Sequence, residues 1–319
     1  MKAIICTKYG SPDVLQLQEV DKPSPKDNEV LIKIYATSAT SGDARIRRAD
    51  PFIIRLIFGF KKPRKSILGV VVAGEIESIG KEVTKYKVGD QVFGSSGMQF
   101  GTYAEYVSIP ENESLSLKPK NMNYEEAAAI PFGTTAALHF LRKAKLSSGQ
   151  KILIYGASGA IGTAAIQLAK LFGAKVSAVC STANIEMVES LGAEKVFDYT
   201  KEDFSKSGEK YDVIFDTVGK SSFSRNIKSL NPKGCLLMAS AEPSQMFQGL
   251  LVSITSPKKV ISGVINESAE DMSYIKELIE NGQLKAVIDK CFPLEQIAQA
   301  HRYVDKGHKK GNVVITVQN

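Results

Sequence analysis

The 319-residue chain has no tryptophan, three histidines and four cysteines, and no apolar run approaching the ~20 residues of a membrane-spanning helix. Each scarcity closes off a class of function. His139, His301 and His308 stand in helix-like or loop context without a paired carboxylate pattern, so they read as packed or surface side chains rather than metal ligands. Cys6, Cys180, Cys235 and Cys291 are too scattered for a disulfide framework or a Cys-x-x-Cys metal loop, and a reducing cytoplasm is the simplest compartment. The first residues carry a short apolar run without a cleavage-site pattern, so no signal peptide is expected.

The remaining composition, 43% hydrophobic and 24% charged, is that of a soluble globular chain, and the length calls for two domains. Lysines and arginines exceed acids, 41 − 34 = +7. Such a balance suits nucleic acid, an anionic membrane surface or an anionic small molecule. The cations are scattered apart from Arg45, Arg47 and Arg48 and the run Lys61, Lys62, Arg64 and Lys65. No nucleic-acid recognition motif accompanies them, so nucleic acid is not an expected partner.

Strand signals dominate up to residue 120: 2–6, 29–36, 69–79, 91–93 and 103–109 are β-branched and bounded by Gly, Pro, Asp or Asn, with little helix between them. The texture changes near Asn123. Helical spacing over 124–129 and 133–144 gives way to alternation: strands at 151–155, 175–180, 195–197, 212–216, 234–239 and 259–262, helices at 160–172, 186–191 and 221–230. This predicts an α/β fold with a doubly wound parallel sheet of about six strands. Helices over 271–281 and 294–306 precede a closing strand at 313–317, which suggests a return to the first domain. The expected domains are therefore 1–123 plus 266–319, and an inserted sheet domain over 124–265.

The strand at 151–155 runs directly into Gly156-Ala157-Ser158-Gly159-Ala160-Ile161-Gly162 and then a helix. Glycines there permit close backbone approach, and a helix N-terminus offers free N–H groups to a pyrophosphate. The spacing is G-x-x-G-x-x-G rather than G-x-G-x-x-G; its place between strand and helix is what marks it as a dinucleotide turn. In NAD-binding sites an acid about 20 residues further on holds the ribose 2′-OH. Here that stretch is Val179 to Asn184, without an acid, while Ser181, Thr182 and Asn184 can donate to a 2′-phosphate. NADPH is the expected cofactor, with Lys201 the nearest following cation.

Seven motifs fall in the order of the medium-chain dehydrogenase/reductases. They are Gly89-Asp90-Gln91-Val92, Pro131 to Ala136, the glycine turn, Leu191-Gly192-Ala193, Asp198-Tyr199-Thr200, Phe215 to Gly219, and Gly311 to Val314. With Ser181-Thr182-Ala183-Asn184 and Asp198-Tyr199-Thr200, the chain resembles the quinone oxidoreductase branch that includes zeta-crystallin. The resemblance implies a Rossmann sheet inserted in a strand-rich GroES-like N-terminal domain, and a homodimer joined through edge strands, for which 234–239 and 259–262 are the candidates. It places Ser158, Gly159, Ala160, Ile161 and Gly162 along the pyrophosphate, and Ser181, Asn184 and Tyr199 around the 2′-phosphate. Thr135, beside Thr134, would approach the nicotinamide or its ribose. Val218 and Ser240 would line the coenzyme cleft, and Asn312 would reach the cofactor from the returning tail. For Tyr199 packing on the sheet, and for Thr134 and Thr135 a helix cap, are the plain alternatives.

Zinc-dependent members of that superfamily carry Cys-Gly-x-Asp and Gly-His-Glu. This chain has Ser41 where the Cys would be, and Val70 and Val71 where His and Glu would be. Valine cannot ligate a metal, so none is expected. Quinone reductases often show an Asn and a Tyr where Thr40 and Arg45 stand. Thr40, Asp43, Arg45 and Thr135 are the catalytic candidates, with Asp43 alternatively a salt-bridge partner of Arg45 or Arg47. The apolar segment 51–60 reads as a lid over a substrate pocket, with a dimer contact or plain core as alternatives, and the basic run after it leaves membrane-surface contact open. The leading function is zinc-free, NADPH-dependent reduction of a quinone or α,β-unsaturated carbonyl. A zinc-free enoyl-thioester reductase and a non-catalytic NADPH-binding module are the alternatives.

Overall fold

In the computed structural model, which describes residues 1–318, the chain divides into two units, Met1–Phe132 with Glu267–Asn319, and Gly133–Asn266. The helix Tyr124–Ala128, placed after the expected boundary at residue 123, belongs to the first unit. Tyr124 stacks flat on Tyr35 of a first-unit strand, ring centroids 4.5 Å apart.

The first unit is organised by the strand Glu29–Ser38, buried along most of its length because its β-branched side chains alternate into core on both faces. It pairs antiparallel with Val71–Ile79, with Tyr106–Pro110 and with Asn312–Thr316, so the strand at 312–316 returns to a sheet begun at residue 29. That sheet has seven strands; Lys2–Cys6 and Leu15–Glu19 form a separate pair. The strands Leu15–Glu19, Leu115–Leu117 and Ile288–Pro293 and the helix Ser41–Arg48 lay outside the sequence reading.

The second unit is a six-stranded, all-parallel sheet. Its order is Lys195–Asp198, Lys175–Cys180, Lys151–Tyr155, Tyr211–Asp216, Leu230–Met238, Lys259–Ser262. In chain order this is 3-2-1-4-5-6, the doubly wound arrangement whose connections reverse direction beside the first strand. Ligands bind such sheets at the carboxyl ends of the strands flanking that reversal, here those of Lys151–Tyr155 and Tyr211–Asp216. Lys259–Ser262 is the edge, whereas 234–239 lies inside the sheet, covered on both sides by neighbouring strands. The helix Pro243–Thr255 turns Phe247, Leu250 and Ile254 to solvent.

Two of the alternatives left open by the sequence fall away. Residues 51–60 are not core: Phe52 and Phe60 are each 63% exposed, and only the short helix Ile54–Phe58 forms there. Asp43 pairs with neither Arg45 nor Arg47, because its carboxylate turns back to cap its own helix.

Candidate active site

In the second unit the strand Lys151–Tyr155 ends at Gly156, which takes φ +79, a left-handed value that a side chain would strain. A Cβ on it would also stand 2.7 Å from Val218 and 2.8 Å from the Thr217 hydroxyl. The backbone then turns under Val179, whose carbonyl accepts from Gly156 and Ala157, and enters the helix Ala160–Leu171. A Cβ on Gly162 would lie 2.3 Å from the Gly156 carbonyl oxygen, so only glycine lets this helix pack so close to the strand. Gly159 differs. Its Cβ would meet nothing nearer than 3.6 Å, so its outer face is open.

Gly159 is also the helix N-cap, and no side chain caps it. The first-turn N–H groups of Ala160, Ile161 and Gly162 therefore lack an intrahelical partner and point, with the positive end of the helix dipole, at the open face. The Ser158 hydroxyl forms no hydrogen bond among the described residues. Gly133 packs against the same turn; a Cβ on it would be 2.4 Å from the Ala160 carbonyl oxygen. This fixes the helix Pro131–Lys143, with Thr134 and Thr135 both buried, next to the glycine turn.

The carboxyl end of Lys175–Cys180 carries the groups expected around a 2′-phosphate. Asn184 donates from Nδ2 to Ser181 Oγ at 3.1 Å, while its buried Oδ1 has no partner among the described residues. Tyr199 is 49% exposed, not packed on the sheet. The sequence reading missed one group. Asp198, in register with Cys180 on the next strand, reaches the same corner. It accepts from the hydroxyl of Thr182 and, at 2.7 Å, from that of Thr200, and Lys201 lies 3.6 Å away. The Thr182 and Thr200 hydroxyls hold its carboxyl down at about 2, so it is ionised. The acid absent from the second strand thus enters from the third. Its oxygens are already taken by hydroxyls, a backbone N–H and Lys201, rather than offered to a ribose.

At the fourth strand, fully buried Asp216 accepts from the backbone N–H groups of Val218, Gly219 and Ser221 and ties the loop down. Thr217 donates its hydroxyl to the Tyr155 carbonyl at 3.0 Å, locking this strand end to the glycine turn. Val218 stays 39% exposed, and Ser240 sits against Gly219, where a Cβ would be 2.2 Å from the Ser240 carbonyl oxygen. Gly156, Val218 and Ser240 therefore share the carboxyl edge of one sheet. An open, uncapped helix N-terminus, glycines where a pyrophosphate must approach, and an orphaned Asn184 Oδ1 that a ribose hydroxyl would satisfy fit a dinucleotide.

The other candidates lie in the first unit. Thr40 caps the helix Ser41–Arg48: its hydroxyl donates to Asp43 Oδ2 at 2.6 Å and accepts from the Asp43 N–H at 3.0 Å. Asp43 is fully buried and its Oδ1 finds no partner at hydrogen-bond distance among the described residues. Burial pushes its carboxyl up, opposed by the Thr40 bonds and the nearby Tyr103 hydroxyl. Arg45 is half-buried and its guanidinium makes no hydrogen bond or ion pair among the described residues. Arg47, wholly buried, bonds His301 Nδ1 at 3.2 Å and Asp305 Oδ2 at 2.6 Å. Asn312 gives its side-chain N–H to the Val287 carbonyl at 3.2 Å. Of the positions aligned with zinc ligands, Val71 is buried in a strand and Val70 gives its carbonyl to Ser96. No three His, Cys, Asp or Glu group as ligands among the described residues.

These features define a class: a Rossmann coenzyme unit joined to a strand-rich unit of the kind found in dehydrogenases and reductases. Residues 26–120 match the alcohol dehydrogenase GroES-like domain, and residues 191–315 the family described as zinc-binding dehydrogenase. A 2-methylene-furan-3-one reductase of Solanum lycopersicum is 36% identical over 99% of the chain and 79% of its own length. The NADPH-dependent alkenal/one oxidoreductase of Arabidopsis thaliana chloroplasts is 32% identical over 99% and 79%. The quinone oxidoreductase structure from Coxiella burnetii superposes with a TM-score of 0.92 at 28% identity, covering 100% of this chain and 99% of the other. The chain belongs to the medium-chain dehydrogenase/reductase family, in its quinone oxidoreductase branch.

Proposed function

We propose that the protein is an NADPH-dependent reductase that delivers hydride to the electrophilic carbon of a quinone or α,β-unsaturated carbonyl without a metal. The observation that carries this reading is the open glycine cradle at Gly159–Gly162, in a chain that has Ser41, Val70 and Val71 where zinc ligands would stand. NADPH, when bound, supplies the hydride. Ser158 and the N–H groups of Ala160, Ile161 and Gly162 hold its pyrophosphate; Ser181, Thr182, Asn184 and Tyr199 surround the 2′-phosphate, with Lys201 offsetting the charge of Asp198. Val218 and Ser240 flank the coenzyme, and Asn312 and Thr135 are its further contacts.

Side chains without a thiolate, imidazole or carboxylate set for zinc polarise a plain alcohol weakly, so the substrate brings its own electron sink. Enones and quinones do, because added hydride leaves an enolate or a hydroquinone anion. The chain's part is to place the acceptor, exclude water and donate to the developing oxyanion. Arg45 is the leading donor, since its guanidinium is unpaired, whereas the Thr40 hydroxyl proton is already given to Asp43. Asp43 then acts on Thr40 and the helix rather than on the substrate.

Turnover over a panel of quinones, enones, enoyl thioesters and simple alcohols tests the assignment. We expect activity with quinones or enones, retained after exhaustive chelation. Activity confined to enoyl thioesters assigns the chain to thioester reduction, and binding of NADPH without turnover of any of them makes it a coenzyme-binding module. Cofactor choice is tested at Ser181. A carboxylate introduced ~4 Å from a phosphate repels it by ~4 kcal/mol at an effective dielectric of about 20. Ser181→Asp is therefore expected to weaken NADPH by roughly 1,000-fold and spare NADH, read by fluorescence titration. An unchanged preference places the 2′-phosphate elsewhere.

The reading extends to a cytoplasmic homodimer. The edge strand Lys259–Ser262 and the exposed Phe247, Leu250 and Ile254 offer the face for pairing, and unpaired cysteines suit a reducing compartment. No helix among the described residues is long and apolar enough to cross a membrane.

A further inference from the structure

Residues 51–65 contain Arg55, Lys61, Lys62, Arg64 and Lys65 and not one carboxylate. The same segment turns Phe52, Ile53, Leu56, Ile57 and Phe60 outward, each at least 50% exposed. Its backbone is held from within. Phe58 packs edge-on against Phe100 with centroids 5.5 Å apart, and the Tyr9 hydroxyl donates to the Gly59 carbonyl at 2.7 Å. The Arg64 N–H donates to the Phe58 carbonyl at 2.7 Å. Arg55 lies over the Tyr9 ring at 4.8 Å and donates to the Phe60 carbonyl at 3.2 Å. These anchors fix the segment so that Ile54 and Phe58 are half-buried while Phe52, Ile53, Leu56, Ile57 and Phe60 face solvent.

Contiguous exposed apolar side chains of this kind mark a contact surface. The charge around them decides the partner. Lys61, Lys62, Arg64 and Lys65 form no ion pair among the described residues. A second copy pairing through this face would set cations against cations. An anionic bilayer offers an apolar boundary below and phosphates at the level of the lysines. We propose that this segment seats the protein on an anionic lipid surface, with Phe52, Ile53, Leu56, Ile57 and Phe60 in the head-group boundary and the cations on lipid phosphates. The proposal stands apart from the reductase reading, because binding is read without turnover.

The test is co-sedimentation of the full chain with vesicles of phosphatidylcholine alone and of phosphatidylcholine with phosphatidylglycerol. Pelleting is expected with the anionic vesicles only, and it is reversed by high salt. Each cation near such a surface contributes ~1 kcal/mol, roughly fivefold in affinity, so the combined Lys61→Glu, Lys62→Glu, Lys65→Glu variant should bind on the order of 100-fold more weakly or less still. The combined Phe52→Ser, Ile57→Ser variant should also weaken binding, and both variants should melt as the parent does, since these side chains lie outside the core. Equal pelleting with both lipids, no pelleting with either, or undiminished binding by the triple variant overturns the proposal. So does a dimer that dissociates in the Phe52→Ser, Ile57→Ser variant without vesicle binding, which assigns the face to a second copy.

Discussion

Gly162→Val is expected to abolish NADPH binding and to destabilise the second unit, while Gly159→Ala weakens NADPH and leaves the melting temperature nearly unchanged. The two glycines sit three residues apart in one turn, and the space around them separates their roles. A Cβ at 162 would stand 2.3 Å from the Gly156 carbonyl oxygen and 2.7 Å from the Ala157 carbonyl carbon, and backbone cannot swing aside as a side chain would. The helix must move off the strand. Overpacking of this kind costs typically ~1–3 kcal/mol, and the branched valine places it at the upper end or beyond. At 159 the backbone is extended, with φ −82 and ψ 178, and the nearest atom to a Cβ is 3.6 Å away. A methyl is tolerated there by the protein but takes the face where the pyrophosphate sits. Thermal melting and coenzyme titration of both variants check this. Intact NADPH affinity in Gly159→Ala moves the pyrophosphate away from this turn.

Asp305→Ala is expected to destabilise the first unit by about 3–5 kcal/mol, the usual loss when one member of a buried ion pair is removed. Arg47 has no exposed surface, and Asp305, itself 24% exposed, is its only carboxylate partner among the described residues. The variant leaves a buried guanidinium with only the Gly10 carbonyl and a neutral imidazole. That imidazole adds a pH dependence. Burial, and then the Arg47 charge, press His301 from its ordinary 6.5 down to about 3. The unfolded chain takes up a proton near 6.5 and the folded chain does not, so stability is complete above that pH and falls as the pH drops towards 3. Asp198, held at about 2, acts in the same direction below about 4, where the unfolded carboxyl protonates first. The urea midpoint should therefore decline steadily from pH 7.5 to pH 4.5. A flat profile means that His301 is protonated inside the fold.

The sequence was most legible where local pattern and burial agree. Strands 151–155, 175–180 and 259–262 are short runs rich in Val and Ile with turn residues at both ends, and each forms with those bounds. The glycine turn was legible for a related reason: Gly156 and Gly162 answer steric demands that no other residue meets, and Gly159 keeps the spacing between them. The helix Ser41–Arg48 was missed because its interior is Gly, Asp and Arg rather than an apolar stripe. Its one signal, Thr40 and Asp43 spaced as a reciprocal cap, resembles a loop motif when read without tertiary contacts. Short strands such as Leu115–Leu117 owe their state to a neighbour, here Gln91–Ser95, that sequence does not place beside them. Asp198 illustrates the limit at the site. A search along one strand for an acid finds none, yet register brings a carboxylate from the adjacent strand to the same corner. The Arg47–His301–Asp305 cluster lies further out of reach, since Arg47 is more than 250 residues from the other two.

Hydride delivery from NADPH to an activated carbon is read out by following the hydride itself. NADPH carrying deuterium at the transferable position of the nicotinamide should place the label on the β-carbon of a reduced enone, with the α-hydrogen drawn from solvent. The same enzyme should leave ethanol and polyols unoxidised in the presence of NADP⁺. Efficient oxidation of a simple alcohol, with enones and quinones inert, would contradict the account.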